Sequence, residues 1–167
     1  MPRGKQDHAI TFRTILNPGD AGAVIALHGV EYAREHGFDH TFEAYVAGPL
    51  SRFIMNSNPR EQIWIAERGG RLIGSIALVE SDAAAGQLRW FLLKEEERGA
   101  GLGARMLDEL IAFAREKGYA RITLWTLDIL PAALRLYRSR GFAFREDRTA
   151  RLWGRDLVEQ RYELELG

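Results

Sequence analysis

Two groups of residues have types and spacing that chemistry can use. The first is Arg98-Gly-Ala-Gly101-Leu-Gly103, with glycine at 99, 101 and 103 ahead of an amphipathic run over residues 101–117. Glycine lets a backbone adopt positive φ and approach a bound group closely. A helix start leaves about four N–H groups without helical partners and carries the positive end of the helix dipole. Such a turn can hold a phosphate or pyrophosphate, with Arg98 adding a cation at its rim. Read alone, it is equally an ordinary tight turn. No Lys-Ser/Thr follows the last glycine, so it is not a Walker loop, and its alternating glycines fit G-x-G-x-x-G poorly.

The second group is Ala133-Leu-Arg-Leu136-Tyr137-Arg-Ser-Arg-Gly141-Phe142. A phenol has a pKa near ~10, stays protonated at neutral pH and can donate a proton. On a short helix, Tyr137 could equally be a packing aromatic. Trp64, Trp90 and Trp125 fall on strand-like runs and read as core or sheet-face packing, with Trp90 also able to line an acceptor channel. His8, His36 and His40 form no metal-ligand spacing, and no metal is expected.

These residues need elements to hold them. Residues 10–16 alternate like a half-buried strand. After the turn at 17–20, where Asp20 can cap a helix, residues 21–36 put Ala23, Ala26, Leu27, Val30 and Ala33 on one stripe, and Gly37 suits the C-cap. A second helix is expected over 40–55, broken or kinked at Gly48-Pro49. Residues 62–67 and 71–79 read as strands joined by a tight turn at 68–70. A strand over 87–93 leads into the glycine turn and the helix at 101–117, with Leu107, Leu110, Ile111 and Ala114 inward. A strand at 121–127, a short helix at 131–140 and two strands across 142–166 complete the order β-α-α-β-β-β-α-β-α-β-β. Without strict alternation, a doubly wound parallel sheet is not expected.

The chain of 167 residues fits one domain, drawn over 9–167 behind a flexible arm at 1–8. Lysine plus arginine balances aspartate plus glutamate at 23 each, which argues against a nucleic-acid binder. Cysteine is absent, which excludes disulfides, thiolate metal sites and a cysteine nucleophile. No apolar run approaches the roughly 18–20 residues of a membrane span, and the polar start lacks a signal peptide's apolar stretch. A cytoplasmic protein with no membrane partner is expected.

Arg98-Gly-Ala-Gly101-Leu-Gly103 followed by the Ala133 to Phe142 segment resembles the GCN5-related N-acetyltransferase (GNAT) superfamily. There R/Q-x-x-G-x-G/A binds the pyrophosphate of acetyl-CoA, and A-x-x-L-Y-x-x-x-G-F carries a proton-donating tyrosine. The element order resembles that fold too: an α/β (α+β) architecture with a mixed sheet of about six to seven strands, about four helices and splayed parallel strands holding acetyl-CoA. His28-Gly-Val-Glu-Tyr-Ala-Arg-Glu-His-Gly37, Ile65-Ala-Glu67, Leu124-Trp-Thr126 and Asp156-Leu-Val158 resemble the acetyltransferase half of bacterial MarR–GNAT fusions. No helix-turn-helix fits before Ile10, so a stand-alone acetyltransferase is expected.

The resemblance implies an acetyl-CoA-dependent N-acetyltransferase acting by direct attack of a primary amine, of a small molecule or a protein, in a ternary complex. Phe91, Leu92 and Leu93 would pair with the pantetheine arm, near backbone N–H groups that can stabilise an oxyanion. Arg98, Gly99, Ala100, Gly101, Leu102, Gly103 and Ala104 would hold the pyrophosphate, with Ala133 and Tyr137 across the gap. Tyr137 would be the general acid toward the departing thiolate. The glutamate usual on the first splayed strand is missing from residues 87–91. Glu31 (with His28) and Glu43 are candidate bases, as are Glu67, Glu80 and bulk water. The asparagine that many relatives carry seven residues before the tyrosine is Leu130. Arg145, Arg148, Arg151 and Arg155 read as a solvated hairpin, or as help with the 3′-phosphate. A homodimer fits the family. The alternative is a non-catalytic acyl-CoA-binding regulatory module, in which Tyr137 would have no chemical task.

Overall fold

The computed structural model describes residues 8–167; of the arm drawn over residues 1–8, residues 1–7 lie outside the described residues. The elements are β1 (Ile10–Arg13), α1 (Asp20–His36), α2 (Thr41–Met55), β2 (Gln62–Arg68), β3 (Arg71–Glu80), β4 (Ala85–Leu93), α3 (Leu102–Glu116), β5 (Arg121–Leu127), α4 (Pro131–Ser139), β6 (Ala143–Leu152) and β7 (Arg155–Glu165). A 3-10 turn at Glu95–Glu97, unforeseen in the sequence, bridges β4 and the glycine turn.

The strands form one sheet in the order β1-β2-β3-β4-β5-β7-β6. Every neighbouring pair is antiparallel except β4 and β5. Both tight hairpins use two residues of positive φ, the mirror-image turn that matches strand twist. Gly69 (58°) and Gly70 (74°) join β2 to β3; Trp153 (52°) and Gly154 (81°) join β6 to β7. In the second, an indole occupies a left-handed position that L side chains rarely adopt.

Alternation along β2 sends side chains into two cores. Trp64 and Ala66 pack with Met106, Leu107, Leu110 and Ala114 of α3. Ile63 and Ile65 pack with Val24 of α1 and Phe42, Val46 and Leu50 of α2. The α1/α2 pair thus covers one face, and α3 with α4 the other.

Three local expectations change. Asp20 is not the cap of α1: Gly19, at φ 96°, takes that position without a side-chain bond. The Asp20 carboxylate instead accepts from both terminal nitrogens of Arg13 (2.5 and 2.7 Å) and from the Asn17 N–H (2.6 Å). Helix α2 is continuous through Pro49, so of the break or kink expected there it shows no break. Strand β1 ends at Arg13 rather than residue 16.

Two irregularities in the sheet create the site. Strands β4 and β5 pair only through Ala85↔Arg121, Gly86↔Ile122 and Gln87↔Thr123. Beyond Gln87 they diverge, and one edge of β4 faces a gap. Across from the gap, β4 follows β3 from Ala77↔Arg89 to Ser75↔Leu92, so Trp90 and Phe91 together oppose Ile76. This is a β-bulge with Trp90 at φ 47°. Ser75 Oγ donates to the Trp90 carbonyl at 2.7 Å, satisfying a buried acceptor displaced from the ladder.

Candidate active site

The gap between β4 and β5 opens into two cavities. The larger, about 440 Å3, runs along Phe91, Leu92 and Leu93 to the glycine turn and is closed by Ile129 to Ala133, Leu136 and Tyr137. The smaller, about 140 Å3, lies beside β4 and β5 under Phe42, Tyr45 and Trp153. Tyr32, Phe91, Leu130, Ala133 and Tyr137 line both. The two motifs noted in the sequence therefore line one cavity, the larger, and Tyr137 lines the smaller as well.

The glycine turn leaves its backbone open to the larger cavity. Gly99 and Gly101 have φ of 86° and 81°, and both face open space where a Cβ would stand. Gly101 caps α3 without a side-chain bond. The Arg105 N–H reaches back to the Gly101 carbonyl at 3.1 Å. The N–H groups of Leu102, Gly103 and Ala104 precede it in the first turn, where no helical carbonyl lies below them. Arg98, Gly99, Gly101, Gly103 and Ala104 line the large cavity; Ala100 and Leu102 do not, Ala100 being exposed and Leu102 packed into the core.

Arg98 is held in two directions. Nε and Nη2 donate to the Leu93 carbonyl at 3.0 and 2.8 Å, and Nη1 and Nη2 bond Glu35 at 2.9 and 2.8 Å. The hydrogen bond from Arg98 holds the Glu35 carboxyl below its usual range, against partial desolvation. Its charge is thus shared with a carboxylate on the same cavity wall.

Tyr137 is buried, with its ring near Phe91 and Phe142 at centroid distances of 6.3 and 5.7 Å. Burial, reinforced by the nearby Tyr32, pushes its pKa well above that of an ordinary phenol. Burial likewise pushes Tyr32 up to about 12, opposed by the Arg98 charge. Both phenols are neutral at physiological pH and available as donors.

The candidate bases are less favourably placed. Neither Glu31 nor Glu43 lines either cavity. Glu31 pairs with Arg34 at 2.7 Å and lies 3.9 Å from Arg98; Glu43 lies over Gly29, where an added Cβ would overlap its side chain. Glu67 bonds Arg13 and Glu80 bonds Arg60, both away from the gap. His28 does line the smaller cavity, 4% exposed. Its Nδ1 bonds the Val24 carbonyl at 2.8 Å. A carbonyl only accepts, so Nδ1 carries the hydrogen and Nε2 a lone pair. Burial lowers its pKa to about 4, leaving the ring neutral.

Several residues of this cavity escaped the sequence reading. Glu159 on β7 is buried beside it and accepts from Arg148 Nε at 2.9 Å. Arg148 is exposed on the β6–β7 hairpin, as expected for a solvated one, and also covers the Trp125 ring at 4.0 Å. Trp153 joins Phe38, Phe42 and Tyr45 in an aromatic cluster at centroid distances of 4.8–5.1 Å. Only the inward alternation of β7 hinted at Glu159; the turn at Trp153-Gly154 gave no signal of folding back over α2.

Among the described residues no helix is long and apolar enough to cross a membrane, and no three His, Asp or Glu gather as metal ligands.

This geometry has relatives. Residues 30–142 match the family described as Acetyltransferase (GNAT) family. A protein of Schizosaccharomyces pombe named as an uncharacterized N-acetyltransferase is 32% identical over 119 residues, covering 67% of this chain and 70% of that protein. The N-acetyltransferase 8 of Rattus norvegicus is 36% identical over 84 residues, covering 47% of this chain and 38% of its own length. A Salmonella typhimurium acetyltransferase solved with its cofactor acetyl-CoA superposes with a TM-score of 0.77 over 95% of both chains at 18% identity. With the family match spanning most of its length and both motifs lining the larger cavity, the chain belongs to the acetyltransferase (GNAT) family and is an N-acetyltransferase.

Proposed function

We propose that this enzyme moves an acetyl group from acetyl-CoA to a primary amine by direct attack in a ternary complex. The larger cavity takes the cosubstrate and the smaller takes the amine. The observation that carries this reading is the shared wall: Tyr32, Phe91, Leu130, Ala133 and Tyr137 line both cavities. Two reactants seated on either side of one wall are positioned without diffusing, which is the larger part of what such a site contributes.

The residues present fit acetyl-CoA. The first-turn N–H groups of α3 and the open space at Gly99 and Gly101 suit a pyrophosphate. The edge of β4 beyond Gln87, unpaired by β5, suits the amides of a pantetheine arm. When bound, acetyl-CoA supplies an activated thioester carbonyl. The chain's own part is to orient that carbonyl beside β4, to exclude water with Phe91, Leu130 and Ala133, and to offer the Tyr137 hydroxyl to the departing sulfur.

The test is release of free CoA thiol on adding amines to enzyme and acetyl-CoA. Amine-dependent release, lost in Gly101→Val together with acetyl-CoA binding, is expected. Tight acetyl-CoA binding without turnover on any amine would favour a non-catalytic module.

A further inference from the structure

The amine cavity has a polarity of its own. Arg89, half-buried on β4, lines it and makes no hydrogen bond or ion pair among the described residues. Its guanidinium carbon lies 5.2 Å from the centre of the Trp90 indole and 5.8 Å from that of Tyr45. The other charged residue of the wall, Glu159, is already bonded to Arg148. The cavity thus holds one carboxylate with a partner and one cation without.

Two further groups lack partners there. His28 Nε2 and Trp90 Nε1 are the buried side-chain nitrogens without a hydrogen-bond partner among the described residues, and both residues line this cavity at 4% and 6% exposure. A buried polar group left unpaired is costly, and each such group calls for an explanation. The two are complementary. Nε2 of a neutral His28 can only accept; the Trp90 indole N–H can only donate. An occupant that satisfies both must offer a donor on one side and an acceptor on the other. Beside the acceptor stands the free cation of Arg89.

We infer that the acceptor is a small amine bearing a carboxylate, of the amino-acid class, with the carboxylate held by Arg89 and the Trp90 N–H and the amine N–H received by His28 Nε2. Arg89 is then the specificity-determining residue of the amine site. The planar guanidinium matches a carboxylate with two parallel bonds, and its seat beside two aromatic rings leaves those N–H groups available. A cavity of about 140 Å3 suits a molecule of amino-acid size. The surrounding Phe42, Tyr45, Trp125 and Trp153 suit an apolar side chain. A lysine side chain of a protein offers no such carboxylate. This inference rests on the assignment of the smaller cavity to the amine.

The test compares phenylalanine with phenylalaninamide and phenethylamine, in wild type, Arg89→Met and Arg89→Gln. Binding of each to the CoA-saturated enzyme is measured by calorimetry, and turnover by thiol release. Acetyl-CoA binding serves as the check on folding. Wild type is expected to prefer the carboxylate by about 100-fold, the worth of a charge-assisted pair, and both variants to bring that ratio near one. Equal or better binding of the amide in wild type, or a preference that survives in both variants, overturns the inference. Arg89-dependent carboxylate binding without acetyl transfer would support the anion site and count instead against the proposed reaction.

Discussion

Replacing Tyr137 with phenylalanine separates chemistry from packing, because the ring and the hydroxyl have separable tasks. The ring is buried against Phe91 and Phe142. The hydroxyl makes no hydrogen bond to the protein among the described residues. Phenylalanine keeps the ring contacts and removes a group with no protein partner. The change in unfolding free energy is therefore expected within about 0.5 kcal/mol of zero. The catalytic effect follows from the acidities. Burial lifts the Tyr137 phenol above its ordinary value of about 10, while a thiol ionises near 8.5. Complete proton transfer from phenol to thiolate is thus uphill, and the phenol acts chiefly as a hydrogen-bond donor to developing charge. Such a bond is worth about 1.5–3 kcal/mol, or roughly 10- to 150-fold in rate. Tyr137→Phe should lower kcat by about 100-fold and change KM for acetyl-CoA by less than about 3-fold. A thiol-reactive chromogen gives kcat; urea unfolding gives stability. A variant with kcat within about 3-fold of wild type and unchanged stability would show that the phenol only packs, and the proton-donor role would fall.

Other perturbations probe the scaffold. Ser75→Ala leaves the buried Trp90 carbonyl without its donor, so it should cost about 1–3 kcal/mol in urea unfolding and raise KM for the amine; no change in either would mean the bulge holds itself. His28 is neutral in the fold, its pKa lowered to about 4 from 6.5, so its contribution is present above pH 6.5 and is lost as pH falls from 6.5 toward 4. About 3 kcal/mol should disappear over that window in wild type but not in His28→Gln, measured as unfolding midpoints; parallel profiles would refute the assignment. Glu35→Gln removes the carboxylate that shares Arg98 and should tighten acetyl-CoA binding by roughly 2- to 5-fold at low salt, with the gain fading as salt rises; weaker binding would mean that Glu35 holds Arg98 in place for the ligand.

The parts of this molecule that obey a period were legible in the sequence. The stripe on α3, the strand-like runs of β2 and β3 and the Gly69-Gly70 hairpin all follow from rules acting over a few residues. The glycine cradle and Tyr137 were legible for another reason: their spacing matched a known pair of motifs, which then line one cavity. What stayed hidden depends on long-range pairing. Asp20 looked like a cap because the sequence does not show Arg13 arriving from β1. Glu159 and Trp153 reach the smaller cavity through the β5–β7 ladder and a left-handed turn, 120 or more positions from His28, which lines it too. Arg89 could be seen only as a missing carboxylate, because nothing in the residue string said that its own counter-ion would be absent.

The site lies where three regular patterns stop. Pairing of β4 with β5 ends after Gln87, the β3–β4 ladder slips at Trp90, and the first turn of α3 begins at Gly101 without a side-chain cap. Each interruption leaves backbone polar groups without a secondary-structure partner, and such groups are costly when kept from water. One of them, the Trp90 carbonyl, is repaired internally by Ser75, and the Leu93 carbonyl at the end of β4 accepts from Arg98; the rest of the strand edge and the first turn of α3 border one cavity. Leu130, on the same wall, brings no polar side chain, which leaves main-chain groups as the polar lining at that point. Main-chain donors are placed by φ and ψ, so in the proposed reading the glycines at 99 and 101, with φ of 86° and 81°, set the direction of the N–H groups at this turn.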